Sequence, residues 1–226
     1  MPATTVGVPA ELDLAGITAL TRGISEATGR VLVLEGADGI FCRGMSLAGH
    51  SPAGERADAA RAFAHCLHAL RTCPLPTIAV VDGEALGGGV GIAAACDLVL
   101  ATPRAGFGLP ELLFGLVPAI VLPVVTERIS PQRARLLALR AHSIPAARAV
   151  ELGLADELVP AGKLASTLAR SVRELSRVDP AAVGELKRHT APDLHAGAEV
   201  TAAALADPAL DRKLRAFTVE GAAPWT

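Results

Sequence analysis

An α/β fold in one domain is the class this sequence predicts. Short β-branched runs such as Thr77-Ile78-Ala79-Val80-Val81 alternate with longer stretches whose apolar residues recur at helical spacing. One of those runs leads into Gly87-Gly88-Gly89 and then into the apolar segment Val90-Gly91-Ile92-Ala93-Ala94-Ala95-Cys96, a strand–glycine–helix sequence typical of α/β domains. With 226 residues, 51% of them apolar, the chain is long enough to bury a sizeable core.

The elements follow in order. Residues 10–28 read as a helix, with Leu12, Ile17, Leu20 and Ile24 near helical spacing. Val31-Leu32-Val33-Leu34 reads as a short buried strand. Residues 55–72 form a second amphipathic helix, with Phe63, Leu67 and Leu70 on one stripe. Strands are expected at 77–81 and 97–101, with the glycine-started helix between them. Pro131 suits the first turn of a helix running to about 140. A short helix over 145–152 is ended by Gly153. Helices then dominate, over about 161–177 and 180–189, with two weaker ones after 196.

Composition excludes several function classes. The net charge is −2 with no basic block, and aromatics make up 3% with no Tyr, so neither phosphate tracking nor base stacking is suggested. The core is left to Ala, Val and Leu. Cys42, Cys66, Cys73 and Cys96 form no C-x-x-C pair and show no metal-ligand spacing, which reads as reduced thiols in a cytoplasmic protein. The N-terminus shows neither the charged nor the apolar region of a secretory signal. The longest apolar stretch, Leu112 to Val125, is broken by Gly115, Pro118 and Pro123 and is too short to span a membrane.

Glycines between a strand and a helix leave backbone N–H groups bare at the helix N-terminus, where the dipole favours an anion. The loop lacks the Lys of a phosphate loop and the spacing of a dinucleotide fingerprint, so a transient oxyanion fits better than a phosphate.

Four ordered motifs carry a family resemblance. Ile78-Ala79-Val80-Val81-Asp82-Gly83-Glu84-Ala85-Leu86-Gly87-Gly88-Gly89 resembles the signature of the crotonase (enoyl-CoA hydratase/isomerase) superfamily. Phe41-Cys42-Arg43-Gly44-Met45-Ser46-Leu47 is similar to its F-x-x-G-x-D-L loop. Phe107-Gly108-Leu109-Pro110-Glu111, continuing to Pro118, and Ala146 to Val159 supply the third and fourth. Together they cover roughly residues 12–220.

The resemblance implies an α/β spiral of β-β-α turns over 1–160, with a helical C-terminal region over 161–226 in the same structural unit. It implies a homotrimer or hexamer assembled through that region. It also implies no cofactor beyond the substrate's own carrier, an acyl thioester of CoA or of phosphopantetheine. Family members usually begin with a β-hairpin that helps hold the adenosine of CoA. Here only about ten residues precede the first helix, so the hairpin is expected to be shortened. That raises the weight of an acyl carrier protein as the thioester partner.

The resemblance assigns two donors for a thioester enolate, the backbone N–H groups of Met45 and Gly88, within the Gly87–Gly89 loop. Each donor of this kind is worth about 2.7–4 kcal/mol of barrier. Hydratases of the family usually carry two glutamates. The first position, three residues after the oxyanion glycine, is Gly91 here; the second is present as Glu111. A carboxyl between Pro110 and an apolar run has its pKa raised by desolvation, which suits a general base. One carboxylate can run a 1,3-proton shuttle or a syn elimination of a β-hydroxyl, and residue arithmetic leaves the two level. The run Glu111 to Pro123, with Pro118-Ala119-Ile120-Val121-Leu122-Pro123 in place of G-x-G-G, tips the balance. It resembles the first enoyl-CoA-hydratase-like enzyme of polyketide β-branching cassettes, a dehydratase of 3-hydroxy-3-methylglutaryl-carrier protein. The alternatives are a Δ3,Δ2-enoyl thioester isomerase or hydratase acting on acyl-CoA, and a non-catalytic crotonase-fold partner subunit.

Other residues are candidate substrate contacts. Ser46 stands where that subfamily often has Asp and can still donate a hydrogen bond. His50 lies five residues past Met45 and could reach a leaving hydroxyl. Arg43 could pair with a distal carboxylate. His65 and His68 share a helix face without a third ligand, so no metal is expected. Cys42 reads as a small core residue and Asp97 as a structural hydrogen-bonding group.

Overall fold

The structure is a computed structural model and describes residues 3–46 and 53–219. Its elements begin β1 (Thr4–Gly7), α1 (Leu14–Ser25), β2 (Leu32–Glu35), β3 (Ile40–Cys42) and α2 (Ala53–Thr72). They continue with β4 (Thr77–Val81), β5 (Glu84–Leu86), α3 (Gly88–Ala95), β6 (Leu98–Ala101) and β7 (Gly106–Gly108). A 3-10 turn over Glu111–Phe114 leads to α4 (Val121–Arg128), α5 (Pro131–Arg140), β8 (Ile144–Pro145), α6 (Ala146–Leu152) and β9 (Glu157–Leu158). The helices α7 (Leu164–Leu175), α8 (Pro180–Thr190), α9 (His195–Ala206) and α10 (Pro208–Val219) complete the chain.

From β2 to β7 successive strands alternate between two sheets. β1, β2, β4, β6 and β9 form a parallel five-stranded sheet in the order β1-β2-β4-β6-β9. β3, β5, β7 and β8 form a second sheet in the order β3-β5-β7-β8, parallel except for β8. Over the β2 to β7 stretch each turn of chain lays one strand in each sheet and returns through a helix or loop. This is the β-β-α spiral expected from the motifs.

The first sheet is covered on both faces, as parallel sheets require. Alternate residues divide its core. Leu32, Leu34, Ala79, Val81 and Val99 face the main core under α1, α2 and α3. Val31, Val33, Ile78, Val80 and Leu100 face the other side, where Leu164, Leu168, Val172 and Leu175 of α7 cover them. Burial on both faces explains why these strands read as continuous apolar runs.

The helix expected over 10–28 is shorter, Leu14–Ser25, for a local reason. Asp13 caps it by accepting from Gly16 N–H at 2.6 Å, and Leu12 is drawn into a bridge with Met45. Pro131 begins α5 behind the Ser130 cap, and Gly153 ends α6 at φ +86°. Asp97 has the structural role expected. Its Oδ2 accepts from Thr77 N–H and from Lys187 Nζ, both at 2.8 Å, tying buried Lys187 of α8 to the start of β4.

Candidate active site

The second sheet delivers the site. β3 ends at Cys42, and the chain turns through Gly44 at φ +86°. Leu12 N–H donates to Gly44 O at 2.8 Å and Ser46 N–H to Leu12 O at 3.0 Å, so this bridge leaves the Met45 N–H between them out of the ladder. β5 ends beside it, and Gly88 opens α3. The first N–H of a helix has no carbonyl one turn earlier to bond. The approach is close: a Cβ on Gly89 would sit 2.1 Å from Cys42 O, so only glycine lets α3 start directly against β3. The two loops that were to carry the donors are thereby brought together, with a Cβ on Gly44 falling 3.0 Å from Gly88 N.

β7 supplies the carboxyl. Gly87 N–H donates to Gly108 O at 2.9 Å, which locks the end of β7 beside the glycine loop. Leu109 and Pro110 then turn the chain so that Glu111 starts the 3-10 turn. Glu111 Oε2 is shielded from solvent and has no hydrogen-bond partner among the described residues. Burial pushes its carboxyl up to about 7, and a backbone hydrogen bond opposes the shift only in part.

These groups surround one cavity of about 140 Å³. Gly44, Met45, Gly87 and Gly88 form one wall and Glu111 another. The remainder is largely apolar, from Phe63 of α2, Phe114, Leu116, Val117, Ile120 and Val121. Arg43 reaches the cavity edge but pairs its guanidinium with Glu84 at 2.9 Å, both half exposed. Gly91, the position of the first family glutamate, faces apolar neighbours: a Cβ there would lie 3.1 Å from Val121 Cγ2 and 3.4 Å from Leu67 Cδ1.

Ser46 does not line this cavity. It lies beside a smaller neighbouring one and donates to Glu11 Oε2 at 2.9 Å. His50 lies outside the described residues. Cys42 is fully buried, and desolvation raises its thiol to about 11, which leaves it a packing residue. Among the described residues no group of three His, Cys, Asp or Glu side chains is placed to hold a metal ion. No described helix is long and apolar enough to cross a membrane. Sequence reasoning did not find Thr201 and Leu205 of α9, which also line the cavity. Thr201 sits in an Ala-rich helix and carries no local signal.

Residues 13–212 match the family model of enoyl-CoA hydratase/isomerase. This chain belongs to the enoyl-CoA hydratase/isomerase family. An enoyl-CoA hydratase structure from Mycobacterium avium superposes with a TM-score of 0.82 at 26% identity, covering 99% of this chain and 94% of that one. The solved pksH protein of Bacillus subtilis superposes with a TM-score of 0.78 at 25% identity, over 95% and 93% of the two chains. In sequence, the bacillaene synthase dehydratase PksH of Bacillus subtilis is 37% identical over 134 residues, 58% of this chain and 52% of that protein. The chain spans about half the length of the curated relatives it matches. Within the family fold, Glu111 is the one carboxylate lining the cavity among the described residues.

Proposed function

We propose that this protein is a dehydratase that removes water from a β-hydroxyacyl thioester. The observation that carries the reading is the lone carboxyl of Glu111. It is desolvated, with Oε2 unpartnered, and set against the Gly87–Gly88 loop, while the other family position is glycine packed by Val121. Glu111 takes the α-proton, and the N–H groups of Met45 and Gly88 hold the enolate oxygen. The enolate collapses with loss of the β-oxygen, and protonated Glu111 returns its proton to the departing hydroxide as water. One carboxylate thus serves as base and then as acid.

The acyl group we infer is of the 3-hydroxy-3-methylglutaryl type, carried on a phosphopantetheine thioester of an acyl carrier protein. The Pro118–Pro123 run and the likeness to the PksH dehydratase support this. Arg43, the cation at the cavity edge, would exchange Glu84 for the distal carboxylate. Assembly as a trimer or hexamer through the helical region over 161–226 completes this reading, with Leu186 of α8 a large apolar side chain left exposed there.

The test is incubation with 3-hydroxy-3-methylglutaryl thioesters of CoA and of acyl carrier protein, followed by mass spectrometry. Loss of water, faster on the carrier protein, is expected. Intact hydroxyacyl thioester on both carriers, with a 3-enoyl thioester isomerised instead, would replace the dehydratase with the isomerase.

A further inference from the structure

Thr201 differs from five other helical threonines. Thr18, Thr21, Thr72, Thr126 and Thr190 each donate their hydroxyl to a backbone carbonyl three or four residues earlier. That local bond is the usual way for a helix to satisfy a threonine. Thr201 makes no such bond. Its Oγ1 is shielded from solvent and has no partner among the described residues, and the residue lines the same cavity as Glu111. The two residues that carry these unpartnered, shielded oxygens, Glu111 and Thr201, therefore both line one largely apolar cavity. A buried polar group without a partner costs about 1–3 kcal/mol, which a ligand that pairs with it recovers.

The placement of Thr201 is built by the helix that carries it. Gly197, Thr201 and Leu205 recur every four residues on one face of α9. At the first of these, a Cβ would lie 2.3 Å from Ala119 O, so glycine is what lets α9 close on the segment leading into α4. At the last, buried Arg56 donates from Nε to Leu205 O at 3.2 Å and pairs with Asp211 at 2.8 Å. Thr201 is held between these two fixed points.

We propose that Thr201 is the second polar contact of the site, its hydroxyl donating to the β-oxygen of a 3-hydroxyacyl thioester as the Cβ–O bond breaks. This rests on the dehydratase reading above and deepens it. Glu111 removes the Cα proton and the electron pair enters the thioester carbonyl. As the enolate collapses, the Cα=Cβ bond forms and the Cβ–O bond breaks. The departing oxygen takes the proton back from Glu111, and Thr201 keeps its own proton throughout. Enolisation alone needs no group at the β-oxygen, so Thr201 acts on elimination and not on proton abstraction.

A matched pair of carrier-protein thioesters separates these steps. Water elimination is followed with the 3-hydroxy-3-methylglutaryl thioester, and solvent-deuterium uptake at Cα with the 3-methylglutaryl thioester, which lacks the β-oxygen. Thr201→Val is expected to lower the ratio of elimination to exchange at least about tenfold, and Thr201→Ser to restore most of it. An unchanged ratio in Thr201→Val overturns the proposal, whether both rates stay or both fall together. Failure of the wild-type protein to enolise either thioester overturns the dehydratase reading itself. Enolisation without elimination in the wild type overturns the role of Thr201 and leaves an isomerase.

Discussion

Glu111 closes over Gly87: its Oε1 lies 3.1 Å from the point where a side chain on Gly87 would place its Cβ. Gly87 itself has φ +51°, in the left-handed region that favours glycine. The carboxyl and the first turn of α3 are thus in contact distance because residue 87 has no side chain. Gly87→Ala would add strain of about 1 kcal/mol and push the carboxyl away. Activity should fall at least about tenfold while the melting temperature drops by only a few degrees, as measured by steady-state kinetics beside thermal denaturation.

The Glu111 carboxyl, held up to about 7 by burial, must be ionised to act as a base. The rate of Cα-proton abstraction should therefore rise with pH through about 7 and level off above it. A pH profile of deuterium uptake reads this directly. A rise centred near the ordinary glutamate value would show that the carboxyl is solvated in the working protein.

The same shift sets a stability trend. The folded pKa is above the ordinary value of 4.5, so the folded state binds the proton more tightly than the unfolded one. Below pH 4.5 the group is protonated in both states and costs nothing. As pH rises from there through about 7 the cost grows, and above that it stays constant. Glu111→Gln should therefore stabilise the protein by about 1–3 kcal/mol at pH 8, with the gain shrinking towards pH 5. Urea unfolding at the two pH values measures the difference.

Restoring the other family carboxylate should fail. Gly91→Glu places its Cβ 3.1 Å from Val121 and 3.4 Å from Leu67, apolar packing that must give way before a carboxyl fits. A loss of at least about 2 kcal/mol of stability is expected, without any gain in hydration of an enoyl thioester. Increased hydration with unchanged stability would mean that α3 and α4 part more readily than their packing indicates.

Much of this architecture was legible residue by residue. The strand Thr77–Val81 and the helix from Gly88 lie where the β-branched run and the glycines place them. Pro131 and Gly153 mark their helix ends through backbone geometry that no tertiary contact overrides. The second sheet was not legible, because Ile40–Cys42, Glu84–Leu86 and Gly106–Gly108 are three residues each. A run that short shows no period, and its strand character comes from partners far along the chain. β1 escaped for the same reason, pairing with β2 across α1.

The site divides in the same way. The segments holding Met45, Gly88 and Glu111 carry glycine and proline signals that mark sharp turns, and the fold brings all three to one cavity. Ser46 sits next to Met45 in sequence yet faces another cavity, since the bridge to Leu12 turns it away. Thr201 reaches the cavity only because Gly197 lets α9 press against Ala119, a contact between segments nearly eighty residues apart.

Solvent-deuterium uptake at the α-carbon of the 3-methylglutaryl thioester, compared between the wild-type protein and Glu111→Gln, tests the central claim most directly. The account predicts uptake in the wild type and a loss of about 10²-fold or more in the variant, with thioester binding retained. Equal uptake in both would contradict the assignment of Glu111 as the base.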